Sequence, residues 1–407
     1  MNKGFDLETI QEALRQRRLD GWLFAQFHGR DALADRVLGR PEGGLQTRRW
    51  YYLVPAEGEP RGLVHAIESE ALDEVPGSKK QYRTWGELES GLSKLLEGVS
   101  KVAMQYSPLN RLPPIATVDA GTVELVRAAG PEVVSSADLV QLFTATLDNE
   151  QIGSHRRAAE QLPKIVVAAF AEVRRRLLAG DALQEYELQQ FIFERLEAAG
   201  LETDAAPIVA VNANASNPHY APSAERSSPI QRGDWLLLDI WGKEPGARTI
   251  FADITWVAQV GGSVPEERTK VFEVVRRARD AAVQLVEDRY ASGEVVCGFE
   301  PDRACREVIE EAGYGDAIQH RTGHSITYEI HGSGANLDDF ETHDERQLLR
   351  RTCFSVEPGI YVVWFGVRAE FDVLIPAEGA PEVTGLRQQE IIPLLAEVIP
   401  PLLESAG

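Results

Sequence analysis

Apolar residues in the first third of the chain alternate between helical and strand-like spacing. Leu7, Ile10 and Leu14 recur at the spacing of one helix face, and Asp6 before them is a candidate helix cap. Later apolar runs predict strands in GWLFAQF, RRWYYLV, RGLVHA, KVAMQ and EVVS, with a helix in GTVELVRAAG. The pattern predicts an α/β domain over residues 1–147. It contains no Gly-rich phosphate loop and no cluster of potential ligands close in sequence, so we assign it no chemistry.

Longer helical patterns then mark a second domain, predicted over residues 148–407. One helix is expected from about Asn149 to Leu178, with a kink at Pro163. A second helix is expected to follow at once, with Asp181 as its cap. The next segment, PIVAVNANASNPHYAP, is loop-rich, and its polar residues surround His219. A plain polar turn explains that segment equally well.

Two predicted hairpins carry carboxylates inside otherwise apolar strands. RGDWLLLDIWG and RTIFADITWVAQV predict the first, with Asp239 and Asp253, while CFSVEPGIYVV and FGVRAEFDVLIP predict the second, with Glu357 and Glu370. Helical patterns precede each hairpin, including one that starts at Pro265. Unpaired acids are costly to bury, so these need a cation or hydrogen-bond donors, unless they are only turn residues at strand ends. The repeat predicts two similar halves whose hairpins face each other.

Three of the eight histidines lie in one short segment between the hairpins, HRTGHSITYEIH, from His320 to His331. Gly323 permits a close backbone approach before His324, and a strand is predicted over Ser325 to Ile330. Alone, the segment would also suit a polar strand edge. Beside four carboxylates, its imidazole completes an oxygen-rich site that suits Mn²⁺, Co²⁺ or Zn²⁺. Two such ions about 3.5–4 Å apart form a hydrolytic centre.

Composition and charge exclude several classes of function. The 407 residues are too many for one ordinary core, and the net charge of −21 disfavours nucleic acid and anionic membranes as partners. We find no apolar run long enough to span a bilayer and no signal-peptide core at the start, which predicts a cytoplasmic protein. Cys297, Cys305 and Cys353 form no CxxC pair and are expected to be buried thiols.

The order Asp239, Asp253, His324, Glu357, Glu370 resembles the five-ligand set of the creatinase/aminopeptidase P metallopeptidases. The local contexts LLLDIWG, FADIT, HRTGHSI, SVEPGIY and VRAEFDV agree with it, and NPHYAP and DNEQIGSHRRAAE resemble further segments of the family. The resemblance covers most of the chain. It implies an α+β fold, in which a smaller creatinase-like α/β domain precedes a pita-bread catalytic domain of two pseudo-symmetric helix-plus-antiparallel-hairpin halves.

The resemblance also implies a role for each ligand. Asp239 would chelate one ion, Asp253 and Glu370 would bridge both ions, and His324 would bind the second. Glu357 would bind metal and exchange a proton with the attacking water.

Four further residues would assist these ligands. His219 and His331 would flank the substrate, steady the tetrahedral intermediate and move protons, while Thr255 and Arg368 would orient the carboxylates. The implied enzyme is an Xaa-Pro aminopeptidase that hydrolyses the bond before proline in short peptides through a metal-bridged hydroxide. It would hold two divalent ions per chain, with Mn²⁺ expected and Co²⁺ or Zn²⁺ as alternatives, and would form a homodimer.

Other functions stay open at this point. One is a prolidase, an Xaa-Pro dipeptidase; another is a metal-dependent hydrolase of a non-peptide amide or ester; a third is a metal-free pseudoenzyme that serves as a binding module. The sequence also departs from the family pattern. Thr327 replaces a usual glycine, Gly332 replaces a usual acidic residue, and the loop between Asp239 and Asp253 is longer than usual. These departures concern the substrate pocket more than the ligands.

Overall fold

The computed structural model describes residues 5–40 and 46–398. Contacts divide the chain into two compact units, Met1–Thr144 and Ala145–Gly407. None of the helices in the described ranges combines the length and the apolar content needed to cross a membrane.

The first unit is built around a six-stranded sheet with the strand order β4-β3-β2-β1-β5-β6. Strand β2 pairs antiparallel with both of its neighbours, and the other strand pairs are parallel. Apolar side chains from the two faces of the sheet pack into separate clusters, so helices cover both faces. The elements are α1 (Leu7–Gln16), β1 (Gly21–Gln26), α2 (Ala32–Val37), β2 (Trp50–Pro55), β3 (Arg61–His65), β4 (Ser78–Tyr82), α3 (Trp85–Leu95), β5 (Lys101–Met104), α4 (Ala120–Ala128), β6 (Glu132–Ser135) and α5 (Ala137–Thr144).

The second unit holds two helix-and-hairpin halves. Its sheets have the strand orders β16-β9-β8-β7, β10-β11-β14-β15 and β12-β13. The elements are α6 (Asn149–Ala179), α7 (Glu185–Ala198), β7 (Ile208–Val211), β8 (Trp235–Gly242), β9 (Ala252–Gln259), α8 (Glu266–Ser292), α9 (Phe299–Glu311), β10 (Ser325–Ile326), β11 (Thr352–Val356), β12 (Gly359–Val362), β13 (Phe365–Arg368), β14 (Phe371–Ile375), β15 (Glu382–Thr384) and β16 (Ile392–Pro393).

Several elements differ from their predicted form. Asp181 does not cap α7: that helix begins at Glu185, where the Glu187 carboxylate accepts the N–H of Gln184 at 2.8 Å. Helix α6, by contrast, spans Asn149–Ala179 as predicted, with Pro163 inside it.

Two more differences lie in the segments that carry histidines. The loop-rich segment before His219 contains strand β7, which pairs with β8. Strand β10 ends at Ile326 instead of Ile330, because the chain folds back until the N–H of Gly332 donates to the Ser325 carbonyl at 2.7 Å.

Asp31 in the first unit is a buried carboxylate whose ionisation should lower the stability of the fold. Its Oδ1 caps α2 through the N–H of Ala34 at 3.0 Å and accepts the Thr117 hydroxyl at 2.8 Å. Burial raises the pKa of Asp31 from 3.8 to about 7. The folded state therefore binds more protons than the unfolded state between these values, so its free energy of unfolding falls as the pH rises through that window.

We expect Asp31→Asn to flatten this pH dependence. Asparagine is a good helix cap and carries no charge to bury, so the variant should be more stable than the parent at pH 8, by on the order of 2 kcal/mol, and about equal to it at pH 4. Urea unfolding at both pH values measures the difference. Asp119→Asn is the matched control, because Asp119 also caps a helix but is exposed. A variant no more stable than the parent at pH 8 would contradict the prediction.

Candidate metal centre

One cavity of the second unit, with a volume of about 530 Å³, collects the side chains that the sequence singles out. Thr255 is fully buried beside it and contacts Glu370. The remaining predicted site residues all line the cavity: His219, Asp239, Asp253, His324, His331, Glu357, Arg368 and Glu370.

Side-chain alternation along β8 and β9 explains why the first hairpin presents its acids to this cavity. Leu238 and Ile254 pack into the apolar cluster that includes residues of α6 and α7, whereas Val257 packs into the cluster with residues of α8. Asp239 and Thr255 are directly paired across the two strands and point to the same side as Val257. Asp253 lies two residues from Thr255 and shares that side.

The acids of the second hairpin lie where its strands are interrupted. Glu357 follows β11 directly, and its N–H donates to the Thr322 carbonyl at 2.7 Å. Glu370 lies between β13 and β14, and its N–H donates to the Thr255 carbonyl at 3.1 Å. The two hairpins therefore meet through the backbone at the position of the acids.

Gly323 brings His324 into the same place. A Cβ at Gly323 would lie 1.9 Å from the Ser355 carbonyl oxygen, so only glycine permits this approach. The N–H of His324 then donates to the Ser355 hydroxyl at 3.0 Å. This contact fixes the backbone from which the imidazole reaches the carboxylates.

Three of the predicted ligands offer atoms within 4.8 Å of one another: Asp253, His324 and Glu370. The His324 Nε2 atom lies 3.7 Å from Asp253 Oδ2 and 3.4 Å from Glu357 Oε1, which brings a fourth ligand next to the group. The fifth, Asp239, lines the cavity but contacts the guanidinium group of Arg368 instead.

Burial and mutual repulsion set the protonation of this group. Desolvation, followed by the charges of neighbouring acids, raises the pKa of Asp253 and of Glu370 well above their ordinary values. Desolvation also raises the pKa of Glu357 and lowers that of His324 well below its usual range. A neutral imidazole keeps a lone pair available for a cation, and the acids would become fully ionised only with a compensating positive charge.

The donor set fits divalent cations. Among the described residues, Oδ1 of Asp253 and Oε1 of Glu370 are buried with no hydrogen-bond partner. Buried carboxylate oxygens of this kind carry a large desolvation cost, which a coordinated cation removes. Carboxylate oxygens with one imidazole are ligands that Mn²⁺, Co²⁺ and Zn²⁺ accept.

Arg368 and Thr255 contact the carboxylates directly. The Thr255 hydroxyl donates to Glu370 Oε2 at 2.5 Å and accepts from Arg368 Nε at 3.1 Å. Arg368 also donates to the Tyr361 hydroxyl at 2.9 Å, and that hydroxyl lies 2.6 Å from His320 Nε2. These contacts hold the acids in fixed orientations.

Sequence reasoning did not assign Tyr361, His320 or Asp372 to the site. Asp372 accepts the N–H of Asp253 at 2.8 Å and therefore fixes the backbone of a predicted ligand. Its position two residues after Glu370, on the same side of the strand, was the available signal. Tyr361 lies in an apolar strand pattern typical of a core residue, so nothing in the sequence distinguished it.

His219 and His331 are both exposed at the cavity. The His331 ring meets the His324 ring edge to face, with centroids 4.4 Å apart. His219 lies after β7, where its N–H donates to the Asn217 side chain at 3.1 Å. Both imidazoles can therefore reach a bound molecule without being part of the buried ligand group.

Comparison with known proteins identifies relatives over this region. Residues 154–377 match the model of metallopeptidase family M24. The Xaa-Pro dipeptidase of Pyrococcus furiosus is 30% identical over 61% of this chain and 65% of its own length. The Xaa-Pro dipeptidase of Lactobacillus delbrueckii is 27% identical over 53% of each chain. The matched regions thus span less than two thirds of these relatives.

Solved structures share the fold over nearly the whole chain. Dipeptidase PepE from Mycobacterium ulcerans superposes with a TM-score of 0.67 at 21% identity, covering 95% of this chain and 96% of that one. X-Pro aminopeptidase from Thermotoga maritima superposes with a TM-score of 0.57 at 20% identity, covering 95% and 99%. The expected pita-bread class of fold is confirmed, and the family match over residues 154–377 shows that this chain belongs to metallopeptidase family M24.

Proposed function

We propose that this chain is a metal-dependent peptidase that hydrolyses the bond before proline in short peptides and releases the N-terminal residue. The observation that carries the proposal is the convergence of five potential ligands and two exposed histidines on one cavity. Membership of family M24 and relatives named Xaa-Pro dipeptidase support it.

The proposed ligands are Asp239, Asp253, His324, Glu357 and Glu370. We propose two divalent ions, with Mn²⁺ as the native metal, because the donor set is rich in oxygen and contains no thiolate. When bound, such ions supply an activated water at neutral pH and polarise the substrate carbonyl.

Other residues of the chain would position and protonate the substrate. Glu357 lies at the cavity wall beside His324 and is suited to take the proton of the attacking water. His331 and His219 are exposed donors suited to hydrogen-bond the carbonyl oxygen as charge develops there and to protonate the departing amine. Arg368 and Thr255 would keep the carboxylates oriented through the contacts described above.

A dipeptidase specific for Xaa-Pro is the second candidate, since both of the curated relatives described above carry that name. The two activities differ in the length of peptide that the cavity admits. His331 lines the cavity, and Thr327 and Gly332, which depart from the family pattern, lie next to each other beside it.

We expect the Mn²⁺-loaded protein to cleave an Xaa-Pro-Yaa tripeptide faster than an Xaa-Pro dipeptide. Separation of the products by chromatography measures both rates, and an Xaa-Ala-Yaa tripeptide serves as the control for proline selectivity. Cleavage of the dipeptide alone would favour the dipeptidase. Cleavage of neither proline peptide by a sample that holds metal would contradict the proposal.

We also propose that the protein is a cytoplasmic homodimer. The dimer rests on resemblance to the family. The cytoplasmic location is the expectation drawn from the sequence. Light scattering of the purified protein at micromolar concentration tests the dimer, because the mass of one chain is 45.0 kDa.

A further inference from the structure

The first unit contains a second cavity, with a volume of about 590 Å³, that the peptidase proposal does not use. Its wall concentrates positive charge in a protein whose net charge is −21. The basic residues that line it are Arg30, Arg48, Arg49, Arg83 and His65.

Aromatic rings hold two of these arginines in place. The Arg49 Cζ atom lies 5.2 Å from the Trp85 ring centre, and the Arg30 Cζ atom lies 5.3 Å from that of Phe27. Stacking of this kind orients a guanidinium group while leaving its N–H groups available. Arg48 donates to the carbonyl and hydroxyl oxygens of Thr47, both at 3.1 Å.

The carboxylates close to these arginines are largely engaged by backbone groups. Glu87 accepts the N–H groups of Arg83 and Thr84 at 2.7 and 3.2 Å, as part of the capping of α3, while its other oxygen lies 3.9 Å from Nη2 of Arg83. Asp119 caps α4 by accepting the N–H and hydroxyl of Thr122 at 2.9 and 2.8 Å. Of the charged residues that line the cavity, four are arginines and one is an aspartate.

Further donors face the same space. The His65 Nδ1 atom accepts the N–H of Ile67 at 3.1 Å, so in the neutral ring the proton lies on Nε2 and that nitrogen is a donor. Helices α3 and α4 begin at the cavity, at Thr84 and Asp119, and helix N-termini favour negative charge. Trp85 lies at the rim with 56% of its surface exposed.

We propose that this cavity binds a small molecule that carries several negative charges on phosphate groups. Guanidinium groups recognise phosphate through paired N–H donors. The positive charge of the four arginines exceeds the negative charge of Asp119, the carboxylate that lines the cavity. The volume lies in the range of small-molecule sites, and the exposed Trp85 ring offers a surface for an apolar or planar part of the ligand. This site is independent of the proposed peptidase function.

Isothermal titration calorimetry with inorganic tripolyphosphate tests the proposal. The full-length protein is titrated both with and without prior chelation, because bound metal would itself attract phosphate. We expect one binding site per chain with the same affinity in both samples, and affinity that falls as the salt concentration rises. Equal binding of acetate would overturn the assignment to a multivalent anion.

Two pairs of substitutions locate the site. Each double variant should bind tripolyphosphate at least about tenfold more weakly than the parent. The first combines Arg48→Gln with Arg49→Gln, and the second combines Arg30→Gln with Arg83→Gln. Arg111→Gln is the control, because Arg111 is an exposed arginine of the same unit outside the cavity. Circular dichroism checks that the variants are folded. If loss of the Arg49–Trp85 contact unfolds the first double variant, the second double variant still tests the site. Unchanged binding in a folded variant of either pair, or no binding of the parent protein, overturns the proposal.

Discussion

His324→Ala and Glu370→Gln should each lose bound divalent metal and nearly all peptidase activity. His324 and Glu370 each offer one ligand atom to the group with Asp253, and these three ligand atoms lie within 4.8 Å of one another. Removing either takes one of the three donors of this group, which weakens the binding of an ion there, and a hydrolytic centre without its ion loses the activation of water. We expect a decrease in kcat/KM of more than about 10³-fold.

Metal analysis and the tripeptide assay together measure this effect. Glu341→Gln is the matched control, since Glu341 lines the same cavity and carries the same charge but lies outside the ligand group. It should retain both metal and turnover. If Glu370→Gln keeps a full complement of metal, the proposed ligand set is wrong.

Thermal unfolding with and without metal tests the Glu370→Gln variant in a second way, through its stability. In the metal-free protein, buried acids repel one another, and desolvation raises the pKa of Glu370 well above its ordinary value. Glutamine reproduces the shape of the protonated acid, so Glu370→Gln should be no less stable than the metal-free parent. Only the parent should gain stability when metal is added, by about 4 kcal/mol at a thousandfold excess over Kd. A variant that merely unfolds would lack this pattern.

The sequence predicted the parts of the site that local patterns encode. An aspartate in an apolar strand, such as Asp239 or Asp253, contradicts the pattern around it, and that contradiction is visible without coordinates. Gly323 before His324 likewise indicated a close backbone approach, and its partner is the Ser355 carbonyl. Such features depend on neighbours in the chain.

Other features depend on residues distant in sequence. Asp372 matters because its carboxylate reaches the N–H of Asp253, and Tyr361 because its hydroxyl lies between Arg368 and His320. Neither contact follows from local spacing. The early end of β10 has a similar cause, since the fold-back that brings Gly332 to Ser325 replaces the expected ladder of strand hydrogen bonds. Strand propensity does not report such a competing contact.

The proximity of Asp239 and Arg368 illustrates the same limit. Arg368, Glu370 and Asp372 are two residues apart along the second hairpin and so share one face, and all three reach the first hairpin. Their partners there overlap only in part, however: Arg368 contacts Asp239 and Thr255, Glu370 contacts Thr255, and Asp372 contacts the backbone of Asp253. The period of a strand predicts which side chains share a face, whereas the pairing of two hairpins is set by tertiary packing.

His331→Ala should decrease turnover by about 10²–10³-fold and leave metal binding intact. Its ring touches His324 at a centroid distance of 4.4 Å, yet His331 is exposed and lies outside the group formed by Asp253, His324 and Glu370. A donor to the carbonyl oxygen acts mainly when charge develops there, so kcat should fall much more than KM changes.

The comparison with His324→Ala separates the two roles, because the rings are neighbours but only one would bind metal. His343→Ala is the control for loss of a histidine, since His343 does not line the cavity. Metal analysis beside the steady-state assay reports on each variant. Loss of metal from His331→Ala would make His331 a ligand instead of a substrate contact, and unchanged kcat would remove it from the mechanism, leaving His219 as the exposed histidine able to stabilise the oxyanion.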